Sequence, residues 1–465
     1  MQNEIRWKLK NKGLRIAVLP QKEVIMQAGE VLRRTAFNAL DSIHGNKLKK
    51  LKDTNKREIV DGVTPEYASR RIRKITEYAA KNCPFYRELP TKAKLSDFPV
   101  QNKGDFIEHY DGILSDEFRS QKDKLTKLST SGSTGTPFTV LADPDKMNHV
   151  FMNFMSVMEL NGFRLGMKRA EFRAWIKGKN TISSFKSFKN NLKMFDISNM
   201  GDEALREICD RIKREKIQVL VTYSSALTAL SQYVYRTGYD TSNWDVEMIF
   251  TMGEAMPEST RKLASEMFGT VPVRSYGNNE NGFVAVSLPG ENDYTIDLYN
   301  YQVEILSLTS DEPVPDGELG RIVVTDYYNR AFPMIRYDTG DTGKIYRWKD
   351  ENGRLHAKFT EIYGRRGSML YNTAGEPLSI HVFMNVLLNF EGVLRQAKCI
   401  QTDVDAYELY LNPVNKETLN EKAVLDAYKK YLGADAKVTV IYVDNLPIQQ
   451  SGKTMVCENH CSKYI

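Results

Sequence analysis

The chain has 465 residues, 41% of them hydrophobic and 27% charged, with a net charge of +6. That is apolar material for a large core spread over two to four units, and the mild positive balance suits an anionic small ligand while excluding the basic footprint of a dedicated nucleic-acid binder. Five scattered cysteines make no disulfide framework, no run of ~18 apolar residues exists to cross a bilayer, and no apolar leader follows Met1, so the expectation is a cytoplasmic protein in reducing surroundings.

In chain order, helical periodicity runs over 22–40, with Val24, Ile25, Ala28, Val31, Leu32, Ala36 and Leu40 on one face. The lysine-rich stretch Asn46–Arg57 reads as a solvated loop, the other reading being a dock for an acidic membrane surface. A helix is expected over 64–82, capped by Thr64 with Pro65 in its first turn. Prolines then mark extended turns at Cys83-Pro84-Phe85-Tyr86-Arg87 and Phe98-Pro99-Val100.

The stretch Ser129-Thr130-Ser131-Gly132-Ser133-Thr134-Gly135-Thr136-Pro137 is the most distinctive of the chain: all but the closing proline are serine, threonine or glycine. It cannot pack a core. The strand-like flanks Lys124–Leu128 and Phe138–Leu141 make it a tight loop rather than a flexible linker, and its glycines let hydroxyls and N–H groups converge on an anion such as polyphosphate. Asp143-Pro144 then starts a helix to about Gly162, with Met147, Val150, Phe151, Phe154, Met155 and Met158 at core spacing.

From 201 to 276 helices alternate with strands: helix 201–216, strand 217–223, helix 225–237, strand 246–251, helix 257–268, strand 271–276. This predicts a parallel sheet, whose ligands collect beyond the carboxyl ends of the strands, at Ser224-Ser225, Met252-Gly253-Glu254 and Gly277-Asn278-Asn279-Glu280. Residues 283–360 shift to short strands and turns, including Tyr301–Leu306 and Leu319–Thr325. After Gly364 a small α+β unit is expected: helix 379–390, strands 394–400 and 407–412, helix 416–431 and strand 437–443. The end, with Cys457, His460 and Cys461, lacks zinc-knuckle spacing and reads as a frayed terminus.

Four further stretches carry chemistry. In Ser275-Tyr276-Gly277-Asn278-Asn279-Glu280 a carboxylate facing polyphosphate suits Mg2+, and Tyr276 offers a flat face to a nucleobase. In Arg336-Tyr337-Asp338-Thr339-Gly340-Asp341, Asp341 can accept hydrogen bonds from ribose hydroxyls. Gly364-Arg365-Arg366-Gly367 opens the small unit, and Gln450-Ser451-Gly452-Lys453-Thr454 lies near the end. The last is not a phosphate-binding P-loop, since Pro447 stands where its first glycine is needed and too few residues follow for the helix.

Taken in order, these stretches resemble the AMP-forming adenylate ligases, the superfamily of acyl-CoA synthetases, peptide-synthetase adenylation domains and luciferases. Within it they are most similar to the phenylacetate–CoA ligase and CapK-like capsule-biosynthesis branch. The resemblance covers nearly the whole chain and implies an α/β fold in two parts. Residues 1–363 would form a large N-terminal domain with parallel α/β sheets and a β-rich subdomain; residues 364–465 would form a small mobile α+β domain.

It also implies roles. Thr130, Ser131, Gly132, Ser133, Thr134, Gly135 and Thr136 would wrap the β- and γ-phosphates of ATP. Gly253, Glu254, Tyr276 and Gly277 would belong to the nucleotide site, with Asp341 on the ribose and Arg365 close by. Glu280 would ligate Mg2+, and Lys453 would bridge the substrate carboxylate and the α-phosphate. The small domain would turn about Arg366 and Gly367. The family commonly has an acidic residue where this chain has Gly367, but glycine tolerates the dihedral changes of a hinge.

The implied reaction activates a small carboxylic acid as its adenylate. The acyl group then passes to the thiol of coenzyme A or of a carrier protein, or to an amine such as that of an amino sugar, in surface polysaccharide biosynthesis. An AMP transferase giving a stable adenylylated product, or a nucleotide-binding scaffold without catalysis, would use the same motifs. The chemistry is coherent: transferring AMP onto a carboxylate makes a leaving group, and a lysine and Mg2+ offset the repulsion between the two anions.

Overall fold

A computed structural model of the chain describes residues 28–129, 138–173, 191–197, 200–365, 369–378, 393–444 and 456–463, with 382–383, 386–387, 390 and 446 between the last segments. Helix α1 (Ala28–Ile43) begins it, but its face is not the one the periodicity suggests. Leu32 and Leu40 are 74% and 56% exposed, whereas Glu30 and Asp41 are buried. Polar anchors hold this helix: Arg164 pairs with Glu30 at 2.9 Å, and Asp41 accepts from the Leu48 and Lys49 amides.

The lysine-rich stretch is helix α2 (Lys47–Asp61), not a loop. Leu48, Leu51, Asn55 and Ile59 recur at helical spacing on its inner side, where Asn55 and Ile59 are buried. Lys52 and Lys56 both pair with Glu159, at 2.6 and 3.0 Å. Helix α3 (Pro65–Asn82) is capped by the Thr64 hydroxyl, which accepts from the Tyr67 amide at 3.2 Å. Short helical turns follow before the hairpin β1 (Thr126–Ser129) and β2 (Thr139–Ala142). Asp143 then caps helix α4 (Pro144–Leu160).

Strands β3 (Arg169–Arg173), β4 (Leu192–Asp196), β5 (Val219–Thr222) and β6 (Met248–Thr251) form a parallel sheet in the order β4-β3-β5-β6. The first two of these strands are not evident in the sequence. Helices α5 (Asp202–Glu215), α6 (Ser224–Thr237) and α7 (Glu258–Phe268) build the apolar core against one face. Helices α2 and α4 cover the other, where Met152, Met155 and Met158 meet Val219, Val221 and Phe250.

The sheet does not extend to residues 271–276 as a full parallel strand. A single parallel bridge joins Phe250 to Val273, after which β7 (Ser275–Asn278) enters a separate antiparallel sheet. That sheet has the order β10-β11-β12-β13-β9-β8-β7, with β8 (Gly282–Val286), β9 (Tyr294–Ile296), β10 (Tyr301–Leu306), β11 (Gly320–Asp326), β12 (Tyr337–Lys349) and β13 (Leu355–Arg365). An aromatic core of Tyr86, Phe98, Phe106, Phe138, Phe332 and Tyr337 seats the β1–β2 hairpin on the approach to β12.

The C-terminal unit opens with a short pair, β14 (Leu370–Tyr371) and β15 (Pro377–Leu378). Its main sheet, of order β18-β17-β16-β19, contains β16 (Leu394–Gln401), β17 (Ala406–Pro413), β18 (Lys437–Tyr442) and β19 (Cys457–Asn459), with helix α8 (Glu421–Leu432) packed on it. Among the described residues its core runs from Leu370 to Cys457 and takes in nothing earlier. The expected fraying at the end is corrected: β19 pairs in parallel with β16, and Cys457 and Cys461 are buried thiols. The expected helix 379–390 lies mostly outside the described residues.

Candidate active site

The hydroxyl-rich stretch lies in sequence between the paired strands β1 and β2. Its stem is registered from Thr126 opposite Ala142 to Ser129 opposite Thr139, whose hydroxyls lie 2.8 Å apart. The loop residues Thr130, Ser131, Gly132, Ser133, Thr134, Gly135 and Thr136 lie outside the described residues, as do Lys453, Arg366 and Gly367. The stem is tied to the second motif: the Asn279 amide nitrogen donates to the Ser129 carbonyl at 3.0 Å.

Tyr276 and Gly277 lie on β7, and Glu280 in the turn to β8. A side chain at 277 is excluded, because a Cβ there would sit 2.2 Å from the Gly282 carbonyl oxygen. Glu280 is buried and accepts from the Tyr337 hydroxyl at 2.9 Å. Beyond it, the Asn281 carbonyl accepts from Lys146 and from the Tyr301 hydroxyl, each at 2.6 Å. Lys146 is itself buried and pairs with Asp326. Both side-chain polar atoms of Asn281 are buried without a hydrogen-bond partner among the described residues. A buried carboxylate beside an unsatisfied amide fits a site for a Mg2+ carried on phosphates, which one or two carboxylates suffice to hold. Among the described residues no three His, Cys, Asp or Glu side chains form a protein-only metal cluster.

Tyr276 and Asp341 meet. The Tyr276 hydroxyl donates to the Asp341 carboxylate at 3.0 Å and to the Thr339 hydroxyl at 3.2 Å. Burial, then the Asp341 charge, raises the Tyr276 pKa well above the ordinary phenol, so it stays a donor. Gly340 takes φ of 78°, a turn that glycine makes at little cost. Asp341 stands opposite Arg365 in the β12–β13 ladder. Other members of the Arg336–Asp341 stretch are structural: Arg336 pairs with Glu304 and donates to the Phe98 carbonyl, and Asp338 pairs with Arg321.

Glu254 follows β6 and points to the start of α6, accepting from the Ser225 amide at 2.8 Å and its hydroxyl at 3.1 Å. A carboxylate there answers the unpaired amides of the first helical turn. Ser275 on β7 donates to the Thr251 carbonyl at 2.7 Å, which brings the Glu254 loop and the Tyr276 strand to one edge. Thus Glu254, Tyr276, Gly277, Glu280 and Asp341 are assembled around the junction of the two sheets. Sequence reasoning missed Tyr337 as the partner of Glu280 and Lys146 as the clamp of its turn. The former lay within a quoted motif; nothing local marked the latter.

No family model matches the chain. In sequence it is similar to the protein CapK of Staphylococcus aureus, 21% identical over 422 residues, covering 85% of this chain and 89% of that protein. It is also similar to the phenylacetate-coenzyme A ligase of Thermus thermophilus, 23% identical over 430 residues, covering 82% and 93%. Its fold matches crystal structures of 2-hydroxyisobutyryl-CoA ligase at 16% identity, with a TM-score of 0.65 over 84% of this chain and 88% of that one for the postadenylation state holding R3-HIB-AMP. Among the described residues no helix is long and apolar enough to cross a membrane.

Proposed function

We propose a carboxylate-activating function, starting from the fact that this chain is a homologue of CapK and phenylacetate–CoA ligase with the fold of the adenylate-forming acyl-CoA ligases. The protein is an AMP-forming ligase. The carboxylate of a small acid attacks the α-phosphorus of ATP, pyrophosphate leaves, and the acyl-adenylate passes its acyl group to the thiol of coenzyme A or a carrier, or to an amine. The CapK relation supports an acceptor in surface polysaccharide biosynthesis.

One observation carries the reading: Asn279 joins the stem of the hydroxyl-rich loop to the turn that holds Glu280, and Tyr276 joins that same strand to Asp341. Three segments far apart in sequence are thereby linked by hydrogen bonds, which supports a nucleotide site along them. In this assignment the 130–136 loop grips the terminal phosphates. Tyr276 lies along the adenine and orients Asp341 toward the ribose, with Arg365 beside it. Gly253, Glu254 and Gly277 give the edge its close backbone approach. Glu280, oriented by Tyr337, would hold Mg2+, which would supply charge neutralisation on the phosphates.

Lys453 stabilises the charge that develops between carboxylate and α-phosphate. It belongs to the C-terminal unit, residues 364–465, whose separate core supports an independent body turning about Arg366 and Gly367. Because the loop lacks a lysine, chemistry waits for that body to close.

The test is exchange of labelled pyrophosphate into ATP across a panel of aromatic, aliphatic and amino acids. Exchange with at least one acid is expected, reduced at least about a hundredfold in Lys453→Ala, the loss of a transition-state contact. Tight ATP binding with no exchange across the panel overturns the ligase in favour of a scaffold. A stable adenylylated hydroxyl in mass spectra overturns it in favour of an AMP transferase.

A further inference from the structure

The carboxyl edge of the parallel sheet holds a cation that the nucleotide assignment does not use. Strand β3 alternates Arg169, Glu171 and Arg173 on one side with Ala170 and Phe172 on the other. Ala170 and Phe172 pack into the core under α5–α7. The charged row therefore lies on the opposite face, the one that α4 covers, and Arg169 reaches the Phe154 ring of α4 at 5.5 Å. Glu171 is shared by the two arginines, at 3.1 Å from Arg169 and 3.8 Å from Arg173. The second separation is too long for a hydrogen bond.

Arg173 ends the strand. Its Nη1 donates to the Tyr223 hydroxyl at 3.0 Å, and the guanidinium lies 5.8 Å from the centre of that ring. Asp196 is the register partner of Arg173 on the outer strand β4, whereas Tyr223 follows β5 on the inner side. The Tyr223 bond thus leans the guanidinium inward, toward β5 and β6. Its side chain is 34% exposed, and among the described residues its guanidinium donates a hydrogen bond to Tyr223 alone, out of five N–H donors.

The edge continues inward from Tyr223 to Met252 and then, through the Ser275 bond to Thr251, to Tyr276. Strand spacing places Arg173 about 14 Å from Tyr276 along this line, three steps of ~4.8 Å. That separation is on the scale of an arginine side chain and one small organic acid placed end to end.

We propose that Arg173 is the specificity residue of the acyl site, and that the acid activated here carries a second anionic group, a carboxylate or phosphate, at the end remote from its reacting carboxylate. A guanidinium fork recognises such a group by paired charge-assisted hydrogen bonds. Tyr223 orients the fork, and Glu171, shared with Arg169, leaves it net positive charge. The activation step is unchanged: one carboxylate takes AMP and releases pyrophosphate, and the second group stays ionised on Arg173. This rests on the carboxylate-activating reading above.

The test compares acids in pairs matched for length, each a monocarboxylic acid beside its terminal dicarboxylic or phosphorylated counterpart. The wild-type protein is assayed by pyrophosphate exchange and by direct calorimetric binding with a non-hydrolysable ATP analogue present. A doubly anionic acid is expected to be preferred. Arg173→Gln should raise its KM at least tenfold with kcat little changed, leave any monocarboxylic acid unaffected, and keep the melting temperature. Arg173→Lys should restore part of the preference. Monocarboxylic acids that exchange as well as their counterparts, or a Gln variant that lowers both alike, would overturn the proposal. If no acid exchanges but a dianion binds and loses its affinity in Arg173→Gln, the anion site stands and the ligase reading falls. If no dianion binds or exchanges, the site falls too.

Discussion

Two buried polar clusters meet helix α4, and they are built on opposite principles. At its middle, the Asp297 carboxylate accepts from the side-chain amides of Asn55, Asn153 and Asn300 and from the backbone amides of Tyr299 and Asn300. Both oxygens are in use; among the described residues the atoms left over are two acceptors, the Asn55 and Asn153 side-chain oxygens. At the N-terminal end of α4, Lys146 clamps the Asn281 backbone, yet among the described residues the Asn281 side chain has a donor and an acceptor without partners, adjoining Glu280. A closed hub pins α2, α4 and the start of β10 together. The incompletely satisfied turn, tied through Asn279 to Ser129 at the end of β1, is where the proposed ligand would sit. Burial of polar groups does not identify a site by itself; what sets the turn apart from the hub is an unpartnered donor and an unpartnered acceptor on one side chain, adjoining a buried carboxylate.

The largest effect that this contrast predicts is on stability at the hub. Asp297→Ala strands five donors in the interior, and unfolding in urea should show a loss of about 4 kcal/mol. Exchange activity per folded molecule should be unchanged. A loss of activity with full stability would make the hub part of the site and erase the contrast. At the turn the balance should reverse. Glu280→Gln keeps an acceptor for the Tyr337 hydroxyl but removes the charge. Exchange should fall about a hundredfold, which is about 2.7 kcal/mol in the barrier, while stability moves by less than about 1 kcal/mol. Equal destabilisation in the two variants would mean that Glu280 is a second structural carboxylate.

Which parts were legible in the sequence follows the same division between local and remote causes. Helices α5, α6 and α7 and strands β5, β6, β10 and β17 were readable because their periodicity is local and uninterrupted. Strands β3 and β4 were not: charges alternate along β3, and 18 residues separate Arg173 from Leu192. The lysines of α2 looked solvated because Glu159, their shared partner, is about a hundred residues away. The exposed apolar side of α1 was misread because its inner side is marked by the Glu30–Arg164 ion pair and by Phe37 packed on the core, not by the leucines. In the site, Tyr276, Glu280 and Asp341 could be chosen from motifs, but their partners could not. Tyr337 lies 57 residues from Glu280, and Lys146 lies 135 from Asn281. Arg173 carries no motif at all; only the register of β3 beside β5 brings it to the edge.

The hub makes one more, smaller prediction, and its sign separates it from the site. His149 is buried, stacks on Tyr328 with ring centres 3.3 Å apart, and its Nδ1 lies 2.9 Å from the Asn300 side-chain oxygen. Burial is the main cause that lowers its pKa from 6.5 to about 3, and the nearby positive charges of Lys146, Arg71 and Lys47 add to it. The folded protein therefore holds this imidazole neutral, while the unfolded chain takes up a proton as the pH falls below about 6.5. The contribution is fully present above the unfolded pKa and is lost progressively on acidification toward pH 3. Between pH 6.5 and pH 5 the loss amounts to about 1.6 kcal/mol. Raised folded-state pKa values act in the opposite direction, and Asp297, whose carboxyl is pushed up by desolvation, is one of these. The quantity to measure is thus the difference between wild type and His149→Gln in urea midpoints taken at each pH. In that difference the other groups cancel, and the variant should be flatter with pH by the stated amount. If the two curves run parallel, His149 is charged inside the fold, and the hub is an open site rather than a closed one.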